Sequence, residues 1–364
     1  MNFRPPTHFL EAMRVVVAQS DLKRKLAYAF SRYTLFLDDE RAGKALPLIF
    51  GPSGSGKTHS IEICAQASGL PTTSIGGAGI SAAGYKGVTM RDLLTQHYVR
   101  HRTSHGVIFI DEIDKWCKGA IALDGQKPDP EQVQMAISKQ AELLRYVERE
   151  DVWFIEEAKD LGALREHDED ALDPEDETAW KPTVFETRRA FWVLAGAFGG
   201  LQHVIRQRLQ QDNQVDEALL WEKAAPEDFR RYGMQQELVN RCSVVAWVKP
   251  LRGTEMIEIM EQQELPRYRL MFEALGCRLD LQTTALAAVS ELAVRERTGA
   301  RGAALRLAHV MSDVFTEADE RRLASCCVDA RVMLSGHLDV SPQDHAPALQ
   351  PPQGTLPLRP VAAV

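Results

Sequence analysis

Residues Gly51-Pro52-Ser53-Gly54-Ser55-Gly56-Lys57-Thr58 follow the apolar run Leu46–Phe50 and precede a stretch of helical periodicity. A glycine-rich turn between a strand and a helix directs successive backbone N–H groups at one anion, and the helix N-terminus adds partial positive charge. Lys57 is spaced to reach terminal phosphates and Thr58 to ligate Mg²⁺, with His59 carrying the segment into the helix. The stretch reads as a phosphate-binding loop, which places the chain among α/β nucleotide-binding folds.

About fifty residues on, Val107-Ile108-Phe109-Ile110 runs into Asp111-Glu112. A buried strand ending in two carboxylates supplies what the loop lacks: Asp111 to hold Mg²⁺ through water and Glu112 to polarise an attacking water. Asn-Lys-x-Asp, the usual guanine-reading element, cannot be formed, because the asparagines Asn2, Asn213 and Asn240 are not followed by Lys. ATP is therefore the expected nucleotide.

Phe191–Leu194 and Val244–Val248 complete a set of four buried-strand runs with helical periodicity between them, the pattern of a mostly parallel sheet. Leu22, Leu26, Ala29, Phe30, Tyr33 and Phe36 form the stripe of an amphipathic helix ahead of the first strand. After Pro250 no comparable strand run occurs, and Met256–Leu275, Thr283–Arg297 and Ala303–Ala318 carry helical periodicity. The expected organisation is an α/β domain over 1–250, a helical domain over 251–335 and a Pro-rich tail over 336–364.

The 364 residues are 45% hydrophobic and 26% charged, with 43 Lys plus Arg against 51 Asp plus Glu, a net charge of −8. That excludes a polybasic nucleic-acid binder and leaves only a local patch for such a partner. Eleven acids between Glu156 and Glu177 face Lys159 and Arg165 alone, so this stretch carries −9 and the rest of the chain is near neutral. An acidic insertion over about 156–182 reads either as a solvated loop or as a segment that repels nucleic acid or attracts a basic partner. No run approaches the ~20 apolar residues that span a bilayer, and no secretory leader is evident, so a cytoplasmic protein without membrane contact is expected. The six cysteines lack any CxxC pair, which argues for reduced thiols.

Further motifs then fall in a telling order. Asp111-Glu-Ile-Asp-Lys115, the loop Ala83-Gly84-Tyr85-Lys86-Gly87, Leu194-Ala-Gly-Ala-Phe-Gly-Gly-Leu201, Glu227-Asp-Phe-Arg-Arg-Tyr-Gly233, Glu237-Leu-Val-Asn-Arg241 and Arg297-Thr-Gly-Ala-Arg301-Gly302 together resemble ClpX-type AAA+ unfoldases from about Val16 to Glu317. The resemblance implies a large domain with a parallel five-stranded sheet flanked by helices, and a smaller helical lid. It implies an ATPase that works as a homo-oligomer, a hexameric ring, and unfolds or remodels a protein by drawing it through a central pore. Val16-Val17-Ala18-Gln19 resembles the segment that packs on adenine, although a Val pair is equally ordinary core. Arg241 resembles the arginine that a neighbouring subunit lends to the γ-phosphate, and Arg301 the second sensor of the lid. Tyr85, flanked by Gly84, Lys86 and Gly87, resembles the pore-loop aromatic that grips polypeptide.

The chain also departs from that family. Fifteen residues precede Val16, so the family's zinc-binding N-terminal domain is not expected. No Ile-Gly-Phe tripeptide lies between Leu201 and Pro226, so partnership with the ClpP-type peptidase is not expected. The acidic insertion falls where the family keeps a basic pore loop, and Leu194-Ala195-Gly196 lacks the Asn or Thr of a first sensor. These losses leave a second reading open, a nucleotide-switched assembly module, for example in a transposition or phage-defence system, that recruits partners or clamps nucleic acid without threading polypeptide.

Overall fold

A computed structural model describes residues 2–81, 88–117, 130–148, 151–155, 182–209 and 217–335, and the chain divides into two compact units, Met1–Leu251 and Arg252–Val364. The first unit opens with helices α1 (Pro6–Ala12) and α2 (Ser20–Asp38), strand β1 (Pro47–Phe50), helix α3 (Lys57–Ser68) and strand β2 (Thr72–Gly76). Helix α4 (Met90–His101), β3 (Gly106–Asp111), α5 (Pro130–Val147), β4 (Val152–Ile155), β5 (Pro182–Phe185) and β6 (Ala190–Gly196) follow. Helices α6 (Leu201–Leu209), α7 (Glu217–Glu222), α8 (Pro226–Tyr232) and α9 (Gln236–Arg241) lead to β7 (Val244–Trp247).

Five strands form one parallel sheet in the order β2-β3-β6-β1-β7. The α/β class and the parallel five-stranded sheet implied by the resemblance are what the molecule has. Because side chains alternate across a strand, each central strand feeds two apolar layers. Leu48, Phe50, Ile108, Ile110, Trp192 and Leu194 enter one layer, which Phe229 and Tyr232 of α8 close. Ile49, Val107, Phe109, Phe191, Val193 and Ala246 enter the other, beneath α1, α2 and α3. Both faces of the sheet are covered, which is why its strands read as unbroken apolar runs.

β2, in contrast, is an edge strand whose residues Thr72-Thr-Ser-Ile-Gly76 are at most half-buried, so its sequence lacks the apolar run that marks the others. His97 of α4 lies beneath it, fully buried, with Nδ1 2.8 Å from Thr73 Oγ1 and Nε2 3.1 Å from the carbonyl of His105. A carbonyl can only accept, so Nε2 carries the proton and Nδ1 accepts from the threonine hydroxyl. Desolvation, only partly offset by the His105 carbonyl, pushes the His97 pKa down to about 4.

β4 and β5 pair antiparallel, Ile155 opposite Pro182, and form a hairpin that the sequence did not announce. The acidic stretch lies between these strands, outside the described residues, and Pro182, at the far end of the expected insertion, belongs to β5.

The second unit contains α10 (Gly253–Ile259), α11 (Leu265–Ala274), β8 (Arg278–Leu281), α12 (Thr283–Arg295), α13 (Gly299–Glu320), β9 (Ser325–Val328) and α14 (Ala330–Ser335). Two features differ from the sequence expectation. The Met256–Leu275 helix is interrupted by a π-turn over Met260–Glu264, just ahead of Pro266. Proline has no N–H and its ring crowds the carbonyl four residues back, and the wider turn relieves both problems. In addition, β8 and β9 pair in parallel across four residues each, buried only at alternate positions and so without an apolar run. Cys326 and Cys327 lie on β9, and none of the six cysteines, all among the described residues, is in a disulfide. Among the described residues, no helix is long and apolar enough to cross a membrane.

Candidate nucleotide site

The loop Gly51–Gly56 leaves β1 at the carboxyl end of the sheet and delivers Lys57 and Thr58 into the first turn of α3. Strand order places β1 between β6 and β7, so the loop emerges where the chain connections diverge, the usual position of a ligand in an open parallel sheet. Gly51 has φ of +132°, and a Cβ there would sit 2.4 Å from the carbonyl oxygen of Val248. Only glycine lets the loop begin this close to the segment after β7. Ser55 is buried, Pro52 and Gly54 are half-buried, and Ser53 and His59 are exposed. The buried Lys57 ammonium donates to the carbonyls of Gly51 at 2.7 Å and Pro52 at 2.8 Å, lying across the loop it serves.

Thr58 meets the second element directly: its hydroxyl donates to Asp111 Oδ2 at 2.6 Å. Asp111 ends β3, and its other oxygen accepts the Glu112 N–H at 2.8 Å. Glu112 itself has φ of +55°, an unusual conformation for a non-glycine residue and one found at constrained functional positions. It is exposed, and its Oε2 lies 3.8 Å from where a Cβ on Gly76 would stand, at the end of β2. A hydroxyl and a carboxylate in contact, both oxygen donors, suit a small hard divalent cation that keeps most of its water. The sequence-predicted pair and Glu112 are thus brought together from positions more than fifty residues apart.

The first-sensor gap has a steric explanation. A Cβ on Gly196, the last residue of β6, would lie 2.8 Å from Oδ1 of Asp114 and 2.8 Å from the ring of Phe198. Asp114 is buried and accepts the Ala197 N–H at 3.1 Å. The space that a longer side chain at Gly196 would need is filled by an acid of the Asp111–Lys115 motif.

Gln19 is a site residue whose importance the sequence did not disclose. It is 4% exposed, with φ of +54°, directly after Ala18 at +58°. Its side-chain N–H₂ donates to the carbonyls of Ser55 at 3.1 Å and Lys249 at 3.0 Å, and its oxygen accepts the Lys249 N–H at 3.0 Å. One buried amide therefore ties the phosphate loop to the chain after β7. The only signal in the sequence was a polar residue closing the Val16-Val17-Ala18 segment. Val16 packs in the apolar layer with Phe9, Met13 and Leu22, and Val17 is buried.

The motif Glu227–Gly233 is chiefly an anchor. Asp228 is fully buried and takes a bidentate pair of bonds from Arg208, at 2.8 and 2.9 Å, while also accepting the Ala225 N–H. The aspartate beside Arg208 raises the guanidinium pKa further. Phe229 stacks edge-on against Phe50 and Phe198, with centroids 5.0 and 5.3 Å apart, and Tyr232 donates to the Gly199 carbonyl at 2.9 Å. These contacts fix the chain that leads to Arg241, the last residue of α9, which is half-exposed and ion-paired with Glu148 just beyond α5. Arg301 lies exposed in the first turn of α13, in the second unit. Gly84, Tyr85, Lys86 and Gly87 lie outside the described residues.

Comparison with known proteins fits this geometry. Residues 47–166 match the ATPase family associated with various cellular activities (AAA). An ATP-dependent Clp protease ATP-binding subunit ClpX from Bacteroides thetaiotaomicron is 26% identical over 326 residues, covering 83% of this chain and 74% of the relative. The subunit of the same name from Porphyromonas gingivalis is 25% identical over 349 residues, covering 89% and 80%. A ClpX 3 subunit from Methylococcus capsulatus is 27% identical over 316 residues, covering 80% and 68%.

Proposed function

Because the chain is an AAA+ ATPase of the ClpX type, we propose that it works as an ATP-driven ring, most simply a homohexamer, that unfolds or remodels a protein partner without the ClpP-type peptidase. The observation that carries this reading is the contact between Thr58 and Asp111 beside Glu112, which places two oxygen donors for Mg²⁺ and a carboxylate for an attacking water at one end of the sheet. In this reading Lys57 exchanges the Gly51 and Pro52 carbonyls for the terminal phosphates of ATP, and the N–H groups of Ser53–Thr58 cradle them. Thr58 and Asp111 would hold Mg²⁺, which would supply neutralisation of the phosphate charge. Glu112 orients and polarises the water. Val16 and Val17 face adenine.

Arg241 acts on the site of the adjacent subunit, where a guanidinium offsets charge that develops on the transferred phosphoryl group. Arg301 links the lid to nucleotide state. Tyr85, with Gly84, Lys86 and Gly87, grips the polypeptide: a bulky ring between glycines wedges against any backbone without reading sequence. An acidic segment framed by β4 and β5 selects against anionic substrate ends.

The test is the ATPase rate with and without a reduced, alkylated protein that cannot refold. Threading predicts a severalfold stimulation that Tyr85→Ala abolishes while its basal rate stays near that of the parent chain. Stimulation by DNA or RNA instead, unaffected by Tyr85→Ala, would favour a ring that clamps nucleic acid.

A further inference from the structure

Helix α5 carries a second buried amide that the reaction chemistry does not use. Gln140 is 1% exposed. Its side-chain N–H₂ donates to the carbonyl of Trp116 at 2.8 Å and to the carbonyl of Gly233 at 3.1 Å, and its oxygen accepts the Gln235 N–H at 2.7 Å. The two ends of this amide touch different machinery. Trp116 closes the 3-10 turn Ile113–Trp116 that begins at Glu112, and its indole N–H donates to the Gly77 carbonyl at 2.7 Å, next to the end of β2 that Glu112 faces. Gly233 and Gln235 lie in the turn that leads into α9, whose last residue is Arg241.

α9 is six residues long, so about 9 Å of helix separates its start from Arg241. A displacement at Gln235 is carried along that length with no flexible joint between. Two further contacts make α5 and α9 move together: the Gln235 amide donates to the Ile137 carbonyl at 3.0 Å, and Arg241 pairs with Glu148 after the last turn of α5. Trp116, Gln140 and Gln235 form one continuous chain of hydrogen bonds, each partner buried or at a helix end.

We propose that Gln140 is a positioning residue that ties the turn after Glu112 in one subunit to the Arg241 that the same subunit lends to its neighbour, so that the state of one nucleotide site sets the placement of the arginine in the next. The proposal rests on the reading of Arg241 as shared between subunits. Gln140 touches neither nucleotide nor reacting water; it acts through Arg241. A side chain with one acceptor and two donors on a single planar group is needed, because two carbonyls and one N–H converge there. Leucine would fill the space and satisfy none of them. Glutamate would keep the acceptor and set a carboxylate against two carbonyl oxygens.

Mixed rings separate this role from simple support of the fold. Subunits with Glu112→Gln donate Arg241 but cannot turn over ATP, and subunits with Arg241→Ala have an intact site that needs a donor. Mixing the two restores turnover if the arginine is shared; no restoration at any ratio removes that reading and the proposal with it. When restoration occurs, Gln140→Leu is added either to the donor or to the recipient. In the donor it lowers restored turnover at least about tenfold, in line with the sensitivity of catalysis to small misplacements, while fluorescent ATP binding and co-migration of the donor with the ring are retained. In the recipient the fall is less than about threefold, since that subunit's own arginine is already absent and its site receives an intact donor. Gln140→Glu in the same two positions shows the same asymmetry and serves if the leucine variant fails to assemble. Equal losses from both positions, or no loss from the donor, would overturn the assignment.

Discussion

Thr58 and Asp111, fifty-three positions apart, are in direct hydrogen-bond contact: the hydroxyl at the start of α3 donates to the carboxylate that ends β3 at 2.6 Å. Neither residue needs to move far to share a cation, since Asp111 ends β3 and Thr58 lies in the first turn of α3, the helix that follows β1 of the same sheet. Thr58→Ala leaves the loop backbone intact and removes one of the two oxygen donors. Its Mg²⁺-dependent gain in ATP affinity should fall about tenfold or more, while affinity measured in EDTA stays unchanged. Titration of a fluorescent ATP analogue with and without Mg²⁺ checks this.

Gln19 offers a prediction about the loop rather than the cation. Gln19→Leu buries the Ser55 and Lys249 carbonyls and the Lys249 N–H without their partner, at about 1–3 kcal/mol for each group left unsatisfied. Thermal unfolding should fall by several degrees, and bound ATP should restore part of the loss by ordering the same loop. Differential scanning fluorimetry with and without ATP tests both effects. A Gln19→Leu protein as stable as its parent would mean that these bonds contribute little.

Acid should expose the cost of the buried histidine. His97 has a folded-state pKa of about 4, below the ordinary value of 6.5, so the fold favours its neutral form. The stability this brings is fully present above pH ~6.5 and is lost as pH falls from there toward 4, amounting to at most about 3 kcal/mol. His101 and His105 shift in the same direction through desolvation, each reinforced by a neighbouring arginine. His97→Gln, which retains a donor for the His105 carbonyl and cannot titrate, should be less stable than the parent at pH 7.5 and show a shallower decline between pH 6.5 and 4. Urea denaturation at closely spaced pH values measures the slope.

Much of this is legible in the amino-acid sequence. The phosphate loop, Asp111 and Glu112 are local in sequence; the three central strands are buried on both faces, and edge strand β7 alternates buried with half-buried apolar residues, so all four spell themselves out as apolar runs. β2 was not visible because Thr72-Thr-Ser-Ile-Gly76 is mostly polar and nowhere fully buried, and β8 and β9 because only alternate residues of each are buried, which leaves no apolar run. Gln19 and Gln140 escaped for a different reason. Each is a lone glutamine whose importance depends on backbone carbonyls brought to it from up to 230 residues away, and no local pattern records that. Gly196 shows the converse: its missing polar side chain looked like a lost function and is a packing requirement set by Asp114.

The central claim is ATP turnover by a site built on Thr58, Asp111 and Glu112 in an assembled ring. The most direct measurement takes the Glu112→Gln protein and determines ATP binding, ATP turnover and assembled mass on the same sample. Removing the group that polarises water while keeping a neutral side chain of the same size should lower turnover by at least about 100-fold, leave ATP binding within about threefold, and hold the protein as a ring in ATP. Undiminished turnover, or a monomer that binds ATP and hydrolyses it at the parent rate, would contradict the account.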